Sequence, residues 1–125
     1  MNETVLNNFG RKLINDVRDE VININEHIIS GKMRSKENME LYEKFQVLPP
    51  EIQELFKEFI IEAVDKTIHH FLWMFEQNEE YDIINYTKNK SQYISMRDIS
   101  DGLCGELYTK YGWIEKFSKY PPSIK

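Results

Sequence analysis

Two lines of acid and imidazole side chains are the first place to look for chemistry. Asp16, Glu20, Asn23 and His27 stand at steps of four, three and four, and Glu58, Glu62, Asp65 and His69 repeat those steps. Such spacing sets each group along one side of a helix. Carboxylates and imidazoles facing each other across two packed helices can hold a metal pair, as in carboxylate-bridged bundles. That chemistry would take Asp16, Glu20, His27, Glu58, Glu62, Asp65 and His69 as ligands. The Glu-x-x-His pairing that marks such bundles is absent. Both sets also fall opposite the apolar stripe of their own segment, so the plainer reading is two solvated faces.

Other candidates are weaker still. His69 and His70 could each serve as a general base, but no matched nucleophile accompanies either. Cys104 lies between Gly102 and Gly105, a setting that can expose a nucleophile. A catalytic thiolate needs a base and an orienting group, and the three histidines are remote in sequence. Free cysteine is commonly core filler. Asp98 and Asp101 lack the Asp-x-Asp-x-Asp-Gly spacing of a calcium loop. Capping and turn formation account for them. No glycine-rich phosphate loop, Gly-x-Ser-x-Gly or His-Glu-x-x-His occurs. The sequence leaves catalysis open but leans against it, and it implies no cofactor.

The elements that must position these residues are mostly helical. The stretch 50–77 is the longest uninterrupted helical pattern. Ile52, Phe56, Phe59, Ile60, Ala63, Val64, Phe71 and Phe75 cover more than half its circumference, and Glu51, Glu54, Glu58, Glu62 and Asp65 form a narrow acidic line. The breadth of the apolar part predicts a central core helix with the acidic line in water. A first helix is expected over 3–30, with Leu6, Leu13, Val17, Val21, Ile24 and Ile28 as its inward stripe, widened by Ile14, Ile22 and Ile29. Ser30-Gly31 stops it, since glycine accepts the left-handed conformation at a helix end. A shorter helix over 35–46 starts at Ser35, and Pro49-Pro50 separates it from the long one. The runs Tyr81–Thr87 and Ser91–Met96, with Lys88-Asn89-Lys90 between them, predict a β-hairpin over 81–96. One further helix is the alternative there. Short helices are expected over 100–119, with Trp113, Ile114 and Phe117 inward. The expected fold is one mainly helical α+β domain, 1–125, built around the long helix.

Composition bounds the function. A chain of 125 residues with 41% hydrophobic and 13% aromatic residues is one globular domain able to bury a real core. One cysteine excludes an intrachain disulfide framework. The net charge of −5 argues against nucleic acid and against anionic membranes. No apolar run approaches the roughly 20 residues of a membrane span, and no signal-like segment opens the chain, so a cytoplasmic protein is expected. Richness in Ile, Asn and Lys suggests an AT-rich bacterial source. Charge is concentrated: residues 51–80 carry eight acidic and two basic side chains, a net −6.

The leading expectation is an acidic module that binds a protein partner of basic character, in the manner of an immunity or antitoxin-type inhibitor. Its surface would comprise Glu51, Glu54, Glu58, Glu62, Asp65, Tyr108, Tyr111 and Tyr120, since tyrosine is favoured at protein contacts. The metal-binding helical protein or metal-dependent enzyme described above is one alternative. A homodimer whose long helix packs on its twin is another.

Overall fold

The computed structural model describes residues 2–87, 92–108 and 110–123. The fold is mainly helical with a small β-hairpin. In chain order come α1 (Asn2–Lys12), a π-helical segment (Leu13–Arg18), α2 (Asp19–Ile29), α3 (Lys36–Gln46), α4 (Pro50–Gln77), β1 (Ile84–Thr87), β2 (Gln92–Ser95), α5 (Met96–Ile99), a 3-10 helix (Leu103–Leu107) and α6 (Trp113–Phe117).

Local chemistry explains most boundaries. Gly31 adopts φ 78° beyond α2, and the N–H of Lys32 donates to the carbonyl of His27 at 2.8 Å. This is the left-handed closure expected of Ser30-Gly31. The Ser35 hydroxyl accepts from the N–H of Asn38 at 3.2 Å and caps α3. Pro50 opens α4, where its missing N–H costs nothing. Arg97 closes the other end of α4, donating to the carbonyls of Phe75, Asn78 and Tyr81 at 2.8, 2.6 and 3.1 Å. A guanidinium there satisfies orphan carbonyls and faces the negative end of the helix dipole. The hairpin pairs Ile84 with Ser95, Asn85 with Ile94, and Tyr86 with Tyr93, antiparallel. The expected turn Lys88-Asn89-Lys90 lies outside the described residues.

The core gathers Leu6, Ile14, Ile68, Leu72, Met96, Leu103, Leu107, Trp113 and Ile114. It therefore sits where α1, the C-terminal half of α4 and the short C-terminal helices meet. Trp113 lies against Gly10, its indole occupying the place where a Cβ on residue 10 would stand. Phe9 meets the same indole edge-on at 5.7 Å. Gly10 is thus required by packing, although by propensity it weakens its helix.

Two expectations about faces are corrected. The stripe proposed for the first helix does not run unbroken into the core. Leu6 is buried and Leu13 partly so, and of the residues that widen the stripe Ile14 and Ile22 are buried, but Val17, Val21 and Ile24 are exposed and Arg18 is buried instead. The π-helical segment accommodates one extra residue in its turn and rotates everything after it. On α4 the apolar majority does not face the core. Ile52, Phe56, Phe59 and Phe71 are exposed, and only Asp65, Ile68 and Leu72 are fully buried. The core packs on the narrower side that carries the acidic line.

Candidate functional site

The least ordinary feature of the molecule is a buried charge cluster between the start of α2 and the middle of α4. Arg18, Asp19 and Asp65 are all buried, Arg18 completely. The π-helical turn places Arg18 inward, between Ile14 and Ile22. Its guanidinium donates to both carboxylate oxygens of Asp65, from Nε at 2.5 Å and Nη2 at 3.3 Å. It also donates to the Ser118 hydroxyl at 2.6 Å, to the carbonyls of Tyr120 at 3.2 Å and Pro121 at 2.7 Å, and to Asp19 at 3.4 Å.

The segment 118–123 straps this cluster. The Ser118 hydroxyl donates to Asp19 at 2.6 Å, the N–H of Lys119 to the other Asp19 oxygen at 2.9 Å, and the N–H of Ser123 to Asp65 at 3.0 Å. Burying one cation with two carboxylates is tolerable only when the remaining donors and acceptors are satisfied. The strap performs that task with backbone and hydroxyl groups. It also joins α2 to α4, because Tyr120 reaches Asn23 at 3.4 Å while Ser123 reaches Asp65.

Asp65 therefore does not belong to an exposed acidic surface or to a metal site. Its carboxylate is already held by Arg18, and that is the correction to both sequence readings. Past Asp65 the same side of α4 runs under the 3-10 helix. The Tyr108 hydroxyl donates to the Asp65 carbonyl at 3.1 Å, and the His69 ring lies 5.5 Å from that of Tyr108. Glu76 accepts the N–H of Cys104 at 2.8 Å. Burial, then the charge of Asp65, pushes the Tyr108 phenol up to about 12. Burial, then Glu76, raises the Cys104 thiol, the opposite of what a nucleophile needs.

The two acid and imidazole lines are not brought to one point. Asp16 and Glu20 are exposed, His27 is half-buried, and Asn23 receives Tyr120. Among the described residues no three His, Cys, Asp or Glu side chains lie where they could share a metal ion.

The outer end of the acidic line stands free. Glu51, Glu54 and Glu58 are exposed and Glu62 is half-exposed. Glu54 pairs with Lys57 at 3.3 Å and Glu62 with Lys66 at 2.6 Å, both as exposed neighbours on one helix. Such pairs contribute little to stability. Helical periodicity places these carboxylates on the side of α4 that the strap covers at Asp65. Across the strap, α2 contributes Glu20 and Glu26, whose charges, after partial burial, raise the Tyr120 phenol. Tyr111 is 73% exposed, whereas Tyr108 and Tyr120 are half-buried and hydrogen-bonded.

Sequence reasoning missed Arg18, Asp19 and Ser118. One signal existed: Arg18 occupies the middle of the four-step series Ile14, Arg18, Ile22, a place where a cation is buried only with a partner. No protein-family model matches this chain, and no curated protein or solved structure matches it. Among the described residues no helix is long and apolar enough to cross a membrane.

Proposed function

We propose that the chain is an acidic protein-binding module whose partner is a cationic protein. The observation that carries this reading is the mainly acidic face bounded by Glu51, Glu54, Glu58 and Glu62 on α4 and by Glu20 and Glu26 beside Tyr120 on α2, where these six carboxylates outnumber Lys57, Lys66 and Lys119. The Arg18 cluster and the strap join the two helices beside these carboxylates. A field of predominantly one sign steers an oppositely charged partner and raises its association rate. An immunity or antitoxin-type inhibitor of a basic toxin is the concrete form this reading takes. Asp65 is not part of the surface, because it is buried.

The test is kinetic. A partner is captured from the cells that make the protein, and its association rate is followed at low and high salt. The triple variant Glu54→Lys, Glu58→Lys, Glu62→Lys should associate roughly tenfold or more slowly at low salt, a gap that narrows as salt screens the field. An association rate indifferent to both salt and charge reversal would sink the proposal.

A further inference from the structure

We infer that a second copy of this chain covers the outward face of α4, in an antiparallel two-fold pair that crosses at Ala63. This face is separate from the acidic one. Along α4 the residues that point away from the core are Ile52, Phe56, Phe59, Ala63, His70 and Trp73, with Leu55 and Met74 beside them. Ile52, Leu55, Phe56, Phe59, Trp73 and Met74 are 39–58% exposed. Their spacing of fours and threes is the seam by which one helix receives another. Val17, Val21 and Ile24 of α2, at 37–43% exposure, add further bare apolar surface.

The amount of surface argues that something is missing. A compact monomer of 15.0 kDa exposes about 7,000 Å², whereas this chain exposes 8891 Å². A standard interface removes about 800 Å² from each partner, less than this excess. The largest apolar patch of an ordinary monomer is about 300–600 Å². The six half-exposed large side chains of the α4 seam, at roughly 100 Å² each, reach the top of that range.

The seam fits itself in one direction. Its bulk lies at its two ends, Ile52 to Phe59 and Trp73-Met74, with Ala63 and Thr67 between. An antiparallel pair centred on Ala63 sets Ile52 against Met74, Phe56 against His70 and Phe59 against Thr67 of the twin. Phe59 then enters the hollow at Thr67, as close packing requires. A parallel pair would set each phenylalanine against itself. Closed two-fold association of this kind is the commonest oligomeric form.

The test uses the full chain. Sedimentation equilibrium at about 50 µM should give twice 15.0 kDa, with little dependence on salt. Phe59→Asp, at a position 58% exposed, should keep its far-ultraviolet circular dichroism and raise the dimer dissociation constant roughly tenfold or more. The orientation is read by oxidative cross-linking in a Cys104→Ser background. Ala63→Cys should form an intermolecular disulfide, and Ile52→Cys should not. A monomer at that concentration, or a dimer untouched by Phe59→Asp, overturns the inference. Equal cross-linking through Ile52→Cys overturns the antiparallel pairing.

Discussion

At the scale of single residues, Arg18 decides most. Its guanidinium is held by two carboxylates, a hydroxyl and two carbonyls, with no exposure to water. Arg18→Met should cost about 3–5 kcal/mol in urea denaturation, because Asp65 and Asp19 would stay buried without their cation. The double variant Arg18→Met, Asp65→Leu should recover part of that loss, since the uncompensated charge is then removed. A single variant with unchanged stability would show that the cluster is not closed in solution. Tyr108 supplies the pH dependence. Its phenol is raised from 10.0 to about 12 in the folded state, so the folded protein holds that proton more tightly than the unfolded chain. The associated stability is complete below pH 10 and is lost as the pH rises towards 12. Melting temperatures of the parent and Tyr108→Phe should therefore converge across that interval, and parallel curves would contradict the assignment.

At the scale of elements, α4 shows what a sequence can and cannot reveal. Its limits follow from local chemistry: Pro50 suits a first turn, and the polar run after Gln77 ends the periodic pattern. Caps at Ser35 and Gly31 were legible for the same reason, because the residues that make them act on their immediate neighbours. Which side of α4 faces inward was not legible. Its apolar residues outnumber those the core can accept, and the choice was made by Arg18, 47 positions away, which draws Asp65 inward. The same contact removes Asp65 from the acidic surface that the sequence suggested. The two halves of α4 should differ in dynamics as a result. The half containing Asp65, Ile68 and Leu72 is packed under the 3-10 helix, whereas residues 51–59 of the first half are exposed except for Gln53. In the Phe59→Asp variant, hydrogen exchange should be faster over 51–62 than over 65–75. Uniform protection along the helix would show that the first half is covered by something within the chain.

At the scale of the whole molecule, the pair α2–α4 is two-sided. One flank carries Glu20, Glu26, Glu54, Glu58 and Glu62 around the strap, and the outward side of α4 carries the half-exposed Phe56, against Phe45 of α3, and Phe59. The net charge of −5 and the 41% hydrophobic content were visible at once. That they are segregated to different faces was not, because segregation depends on how the helices are turned about their axes. The proposed dimer would use the apolar face and leave the acidic one open, so self-association and capture of a cationic protein do not compete for the same side chains.

The π-helical turn at Leu13–Arg18 makes backbone bonding, as distinct from composition, a determinant of surface chemistry. Were the same residues to tighten into ordinary i to i−4 bonding with none removed, all that follows would swing by about 100°. Val17, Val21 and Ile24 would then fall in line with Leu6 and Leu13, and Arg18 would leave its carboxylates. Removing one residue of this turn before Arg18 instead restores an ordinary helix with Arg18 and Ile22 still inward, because the wide turn holds one residue more than an ordinary one. The turn therefore absorbs a deletion that would rotate the faces of the helix anywhere else along it.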